Sequence, residues 1–378
     1  MGDKIVFINT GHRSMDDRVF YHQAKSLLNK GYNIEIISTK ENLIKYIDGI
    51  KINSYDDKSL NKKQKISQIV KYLTESQPQI ILADTPLAVI ASSIYKKNKK
   101  TKIVYDITEW YPSKKNLIDN KGIIKFFKVI SLSILNIFAG FKSDFFIFGE
   151  HFKSIPFRFL FFWKPYIYLP YFPDLDYIVP FPIESIDKNV HLTYSGIFNE
   201  EKGIVSVIKS IADAAKKRNE KTFYLKLIGD FHTNIDQKLY NQLISDLPQN
   251  MIIQQENFKP FSDFCKTIGN THIFLDLRKK DIENNYCLPI KLFYYLACGR
   301  PIIYSNLNSI KKTIPEMNVG FLCEPADIES ISNSLIEYID NSELYVSHCE
   351  NALSISKLKF NWKLIENDFL EFILMVNK

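Results

Sequence analysis

The sequence predicts an α/β protein of two domains, each a parallel sheet covered by helices, with the ligand site in the cleft between them. Three observations carry that expectation. Short apolar, β-prone runs alternate with helical patterns along the whole chain, as successive βαβ units require. The alternation breaks once, between Pro170 and Pro182. Prolines at 156, 165, 170, 173, 180 and 182 crowd that neighbourhood, which suits no continuous helix. Finally, 378 residues at 46 % apolar content are enough for two full hydrophobic cores and argue against long disorder.

In chain order, Lys4–Asn9 reads as the first strand. A loop through Thr10-Gly11-His12-Arg13 and a helix over 17–30 follow, and the helix stops at Gly31. Strand-like runs come next at 33–38, 79–83, 102–106 and 144–148, with helical stretches between them. After the proline-rich break a second series runs through 190–194, 224–228, 251–253, 271–275, 301–304 and 319–322. The natural division is a first domain over 1–182 and a second over 183–361. In open α/β sheets ligands bind beyond the carboxyl ends of the strands, so the loops there are the first places to search.

Charge is distributed unevenly. Residues 1–190 hold 28 Lys and Arg against 19 Asp and Glu, a balance of +9; the remainder holds 21 against 23, a balance of −2. The net +7 therefore arises wholly in the first half, which suits an anionic surface or lipid phosphate. A single lysine run such as 96–100 reads more readily as solvated surface. The aromatics of that half sit in apolar runs rather than interleaved on a basic strand face, and no nucleic-acid module is present, so a nucleic-acid partner is not expected. The apolar stretch 122–141 is interrupted by Lys125 and Lys128, which makes it a poor spanning helix. A buried helix and an interface-lying helix both fit. Residues 155–164 mix bulky aromatics with cations; a bilayer-dipping segment and a covered core element remain alternatives. Five scattered cysteines (265, 287, 298, 323 and 349), without paired or metal-ligand spacing, fit a reducing compartment, and the N-terminus carries no secretory pattern.

The chemistry-bearing positions cluster at predicted strand ends. No GxGxxG follows the first strand and no GxxxxGK[ST] exists, which removes the usual dinucleotide and ATPase fingerprints. Asp174 and Asp176 have the spacing that can hold a divalent ion on a diphosphate, but so short a match is common by chance and falls in the proline-rich hinge; separately, no cluster of His and Cys has zinc spacing. Gly196 ends the first strand of the second series and permits a tight turn, with Lys202 just before a helix beginning near Ile204. Gly229 is a second glycine at a strand end. Pro289, Ile290 and Lys291 open another helix, whose first amides lack helical acceptors and suit phosphate oxygens. Two ordinary turn-to-helix steps would look the same; a shared anion site requires the 196–203 and 288–291 loops to converge. In the first half, Asp106 and Glu109 follow a strand and are candidates to hold a hydroxyl or act as a base, while His12 lies in the first strand-to-helix loop. Asp106 as a turn cap is an equal alternative.

Taken in order, these segments resemble the two-domain GT-B glycosyltransferases, and specifically the large retaining glycosyltransferase family 4. Asp17-Arg18-Val19-Phe20 followed by Gly31-Tyr32 is similar to the family's first unit. Tyr105-Asp106-Ile107-Thr108-Glu109 resembles its Tyr-Asp-x-His-Glu segment, and Tyr194-Ser195-Gly196 with Lys202-Gly203 its donor-phosphate loop. Residues 288–301, LPIKLFYYLACGRP, resemble its Leu-Pro-Asn-Lys-x-Phe-Glu-Tyr-Met-Ala-x-Gly-x-Pro motif; Asn361-Trp362 resembles the start of its closing segment. The resemblance implies two Rossmann-like domains facing an interdomain cleft, with a helix over about 362–378 returning to the first. It implies a nucleoside-diphosphate sugar as donor substrate on Gly196, Lys202, Gly229, Pro289, Ile290, Lys291 and Tyr294. It also implies a glycan or lipid-linked glycan acceptor near Glu109, Asp106 and His12, no cofactor and no structural metal. The implied location is cytoplasmic or peripheral on the inner face of a bacterial membrane, where a partner glycosyltransferase is a further expected contact. The sequence departs from the family's pattern at Tyr294 and Tyr286, which stand in place of two glutamates. Ile197 stands for a phosphate-binding arginine, and Thr108 for the histidine.

Overall fold

The computed structural model describes residues 2–97, 99–109, 111–117, 120–316 and 318–378, leaving aside the side chain of Lys115. Asn98 of the lysine run and Trp110 beside Glu109 lie outside the described residues. The chain forms two compact units, Met1–Tyr171 with Trp362–Lys378, and Phe172–Asn361.

The first unit carries strands β1 (Lys4–Asn9), β2 (Asn33–Ser38), β3 (Lys40–Ile47), β4 (Ile50–Asp56), β5 (Ile80–Ala83), β6 (Lys102–Ile107), β7 (Phe145–Phe148) and β8 (Tyr166–Tyr168). They form one sheet in the order β3-β4-β2-β1-β5-β6-β7-β8, parallel except for the β3–β4 pair. Its helices are α1 (Lys25–Asn29), entered through a wide π-helical stretch Asp17–Ala24, then α2 (Lys62–Ser76), α3 (Pro86–Lys96), α4 (Lys114–Leu117), α5 (Gly122–Lys142) and α6 (His151–Leu160). The central strands read as nearly unbroken apolar runs because helices cover both faces. Val6, Ile8, Ile81, Ala83, Ile103 and Phe146 are all in the core.

This unit departs from the sequence reading at the β3–β4 hairpin, at β8 and at Pro156. The β3–β4 hairpin was not expected, although Asp48 and Gly49, both at positive φ, form its turn. β3 is largely exposed, so it lacks the apolar signature that marks the other strands. Pro156 lies inside α6, where its ring removes one helical N–H; the proline-rich break therefore begins after this helix.

The second unit carries β9 (Asn189–Ile197), α7 (Ile204–Lys217), β10 (Thr222–Asp230), α8 (Asn234–Ile244), β11 (Met251–Glu256), α9 (Phe261–Thr267), β12 (Ile273–Asp276), α10 (Ile282–Asn285), α11 (Ile290–Ala297), β13 (Ile302–Ser305), α12 (Asn308–Thr313), β14 (Gly320–Cys323), α13 (Ile328–Asp340) and α14 (Ser342–Leu358). Its sheet is wholly parallel, in the order β11-β10-β9-β12-β13-β14. The junction falls at 171/172 rather than at 182/183. Phe172 packs edge-on against Phe293 at 5.0 Å, and Arg300 donates to the carbonyls of Phe181 and Pro182, so residues 172–182 pack as part of the second unit.

The closing helix α15 (Trp362–Val376) belongs to the first unit. Trp362 is fully buried there, stacked on His22 at 5.4 Å, with its indole N–H donated to Ser26 at 3.0 Å. An indole is well anchored when its ring is packed and its one donor is satisfied.

Candidate functional site

In the second unit the carboxyl ends of β9 and β10 lie in register, with Gly196 opposite Gly229. A Cβ on Gly229 would stand 1.8 Å from the Gly196 carbonyl oxygen, so a side chain there is sterically excluded. The loop that leaves β9 is folded back on itself. The Tyr194 hydroxyl lies 2.9 Å from the Ile197 carbonyl and 3.1 Å from that of Lys202. Gly203 then enters α7 at φ +89, where a Cβ would meet the Leu277 carbonyl at 2.1 Å. No side chain caps α7, and among the described residues the amides of Val205 and Ser206 have no acceptor.

Helix α11 opens onto the same place. The Lys291 ammonium donates to the Ser195 carbonyl at 2.5 Å, and it lies 2.8 Å from where a Gly196 Cβ would stand. The 196–203 and 288–291 loops therefore converge. Pro289 is buried and fixes the entry to α11, while Ile290 is exposed. The Leu292 amide donates to the Pro289 carbonyl at 3.2 Å, whereas the Ile290 and Lys291 amides, at the first turn, have no acceptor among the described residues. Helix starts of this kind favour anions through unpaired N–H groups and the helix dipole. Lys202 adds a second cation. Its ammonium is 3.3 Å from both Glu201 and the Asn284 side-chain oxygen.

Beneath Lys291 lies a charged network that the sequence reading did not single out. Asp276, buried at the end of β12, accepts from Arg278 Nε at 3.0 Å and from the Tyr304 hydroxyl at 2.5 Å. Burial alone would raise the Asp276 carboxyl. The charge and hydrogen bonds of Arg278, the charge of Lys291 and the Tyr304 hydroxyl instead hold it below the ordinary carboxylate range. Burial pushes the Lys291 ammonium down to about 8; Asp276 opposes this, and the charges of Arg278 and Lys202 add to it. A like-charged pair beside empty amides is an arrangement that an incoming anion relieves. The i,i+2 spacing of Asp276 and Arg278 was the legible signal, since it puts both on one side of an extended chain.

Tyr294, expected to touch the donor, is instead packed into the core of the second unit. Its ring is buried, edge-on to Phe261 at 5.5 Å and Phe264 at 6.2 Å. Its neighbour Tyr295 faces the sheet, stacked on Phe274 at 4.1 Å with its hydroxyl 2.5 Å from Ser195 Oγ. Tyr286 and Ile197 are half-buried.

In the first unit, Asp106 is buried at the end of β6 and both of its oxygens are taken by Arg18, one of them at 3.0 Å from Nη2. Arg18 also lies over the Tyr171 ring at 4.5 Å. This occupies the carboxylate that the sequence offered as a base or turn cap. Glu109 is exposed and borders a pocket of about 180 Å³ walled by Ile137, Pro156, Phe157 and Leu160, with Lys153 and Asn136 among its polar members. The Lys153 ammonium donates to the Thr108 carbonyl at 2.7 Å and sits 3.2 Å from Glu150. His12 is exposed, its Nδ1 3.4 Å from Asp16 Oδ2. Burial and Asp17 push the Asp16 carboxyl up to about 6, against His12 and the Val19 amide. Asp84, which the sequence reading passed over, shapes the loop before His12: it accepts from the Thr10 and Gly11 amides at 2.8 and 2.9 Å. Asp174 caps the short turn Leu175–Tyr177, and no group of three His, Cys, Asp or Glu suited to a metal occurs among the described residues.

Residues 180–354 match the family model for glycosyl transferases group 1, and residues 13–117 match that for glycosyl transferase 4-like proteins. The chain belongs to the GT-B glycosyltransferases. Solved structures share the fold at low identity. Sucrose-phosphate synthase from Thermosynechococcus elongatus is 13 % identical, with 99 % of each chain covered and a TM-score of 0.75. A glycosyltransferase from Rickettsia africae ESF-5 is 17 % identical, covers 100 % of this chain and 99 % of its own, and gives a TM-score of 0.72. HepE of Anabaena in complex with UDP-glucose is 13 % identical, covers 99 % of this chain and 100 % of its own, and gives 0.71. No curated protein compared by sequence matches this glycosyltransferase.

Proposed function

We propose that this glycosyltransferase moves a sugar from a nucleoside-diphosphate sugar to a glycan or lipid-linked glycan, with retention at the anomeric carbon. The observation that carries the reading is the convergence at Gly196, where the Lys291 ammonium, the start of α11 and the β9–α7 loop with Lys202 meet. Departure of a nucleoside diphosphate builds negative charge on its oxygens. Fixed amides and ammonium groups stabilise that charge most where they are already positioned. Gly196 and Gly229 keep side chains out of the space, while Pro289 and Ile290 set the helix start. Same-face attack by the acceptor hydroxyl requires no protein nucleophile, so Glu109 serves to orient the acceptor or take its proton. The apolar walls of the pocket beside Glu109 suit an acceptor that carries a lipid. The setting that follows is the inner face of a bacterial membrane, in the synthesis of capsule, lipopolysaccharide or another surface polysaccharide. UDP-sugars are the first donors to test, because HepE has been crystallised with UDP-glucose.

Calorimetric titration with UDP-glucose, and with UDP alone, tests the donor site. Binding that falls at least tenfold in a Lys202→Ala/Lys291→Ala double variant supports it; equal affinity in both proteins contradicts it. One observation favours a second reading, a GT-B subunit that supports a partner enzyme: the Tyr294 ring is packed between Phe261 and Phe264 rather than open. Sugar transfer by the purified chain alone onto a lipid-linked glycan eliminates that alternative.

A further inference from the structure

Helix α5 is long and apolar enough to cross a membrane, yet only part of it is covered. Leu132, Asn136, Ala139 and Gly140 form its buried stripe, and the helix packs against α3. On the opposite side stand Ile123, Phe127, Ile130, Ile134, Ile137, Phe138 and Phe141, all exposed. A helix held to its own protein along one stripe is not free to span a bilayer, but it can lie in one.

The exposed stripe continues into the end of α6 and the segment that follows it. Phe161 packs edge-on against Phe141 at 4.8 Å and fills the space beside Gly140. The Lys164 ammonium binds the last carbonyls of α5, at 2.8 Å to Gly140, 3.0 Å to Phe141 and 2.5 Å to Ser143. These contacts bring the aromatic segment alongside the end of α5. Phe159 and Phe162 are 82 % and 80 % exposed, and Phe126 and Phe127 are each 62 % exposed. Contiguous exposed apolar area of this extent marks an interaction surface rather than ordinary exposure.

Charge selects the partner. Residues 121–168 hold seven cations (Lys121, Lys125, Lys128, Lys142, Lys153, Arg158 and Lys164) and two acids, Asp144 and Glu150. Both acids are already paired, Asp144 with Lys96 and Glu150 with Lys153. Lys125 and Lys128 project from the side of α5 away from the apolar stripe. Thus the first turns of the helix have one apolar and one cationic face, the pattern of an interfacial helix. We infer that α5 and the 155–166 segment form a seat that inserts into the surface of an anionic lipid bilayer without crossing it.

The test is sedimentation of the full chain with sucrose-loaded vesicles of phosphatidylglycerol and phosphatidylcholine, or of phosphatidylcholine alone. The expected result is binding to the anionic vesicles that weakens with salt but survives it. Phe126→Asp/Phe127→Asp and Phe159→Ser/Phe162→Ser should each lower binding at least tenfold, while Lys125→Glu/Lys128→Glu should lower it only on anionic vesicles. None of these six residues is part of the proposed donor site in the second unit, so UDP-glucose titration and thermal melts of the same variants serve as a control for folding. Absence of vesicle binding overturns the inference, as does binding that the phenylalanine variants leave intact. Lipid-free dimers that the phenylalanine variants dissolve, without vesicle binding, would overturn it in favour of a second copy.

Discussion

Replacing Lys291 by Met removes the ammonium that touches the Ser195 carbonyl while keeping an unbranched apolar stem. A hydrogen bond to a charged group contributes roughly 1.5–3 kcal/mol, so UDP-glucose should bind about 10- to 150-fold more weakly. The pH dependence is the sharper readout. With the Lys291 ammonium pushed down to about 8, the free protein holds its proton at pH 6.5 and has lost most of it at pH 8.5. The anion binds the protonated form, so affinity is full below 8 and is lost as pH rises through that value. Proton linkage gives a decline of about fourfold between pH 6.5 and 8.5. Isothermal titration at both pH values, in buffers of matched ionic strength, measures it. The Met variant should be weak and flat over the same range. A wild type without pH dependence, or a Met variant that retains the fourfold decline, refutes the assignment.

Gly229→Ala should destabilise the second unit by roughly 2–4 kcal/mol, because the new methyl meets the Gly196 carbonyl at 1.8 Å and both strand ends must move; urea unfolding measures it. Asp106→Asn should cost about 3–5 kcal/mol in the first unit by leaving the buried Arg18 cation without its counter-ion, and adding Arg18→Met should restore part of that loss. Trp362→Ala should cost about 3–5 kcal/mol by emptying the space against His22 and freeing Ser26, seen as an earlier unfolding transition.

The parallel sheets were legible because strands covered on both faces, such as β1, β5 and β12, must be continuous apolar runs. β3 was hidden because it is largely exposed and mixes Lys40, Glu41, Asn42 and Lys45 with its apolar residues, and β8 because three residues after Pro165 are too few for a pattern. The convergence of the 196–203 and 288–291 loops could be anticipated from Gly196, Gly229, Pro289 and Lys291, since glycine and proline report backbone needs directly. Side-chain direction could not. Tyr294 and Tyr295 differ by about 100° around α11, and only packing reveals that the first meets Phe261 while the second meets Phe274. The Asp276–Arg278–Tyr304 network depends on β12–β13 register, which brings Tyr304 beside Asp276 across 28 positions of chain. Asp106 illustrates the converse: a carboxylate at a strand end looks chemical in sequence, and here it neutralises a buried arginine.

A crystal structure of the chain soaked with UDP-glucose examines the core idea without intermediaries. The diphosphate should lie against the Ile290 and Lys291 amides, within hydrogen-bonding distance of the Lys291 ammonium and on the open side of Gly196, with Lys202 turned toward it. Density for the nucleotide elsewhere on the second unit, with those amides and both lysines still facing solvent, would contradict the account.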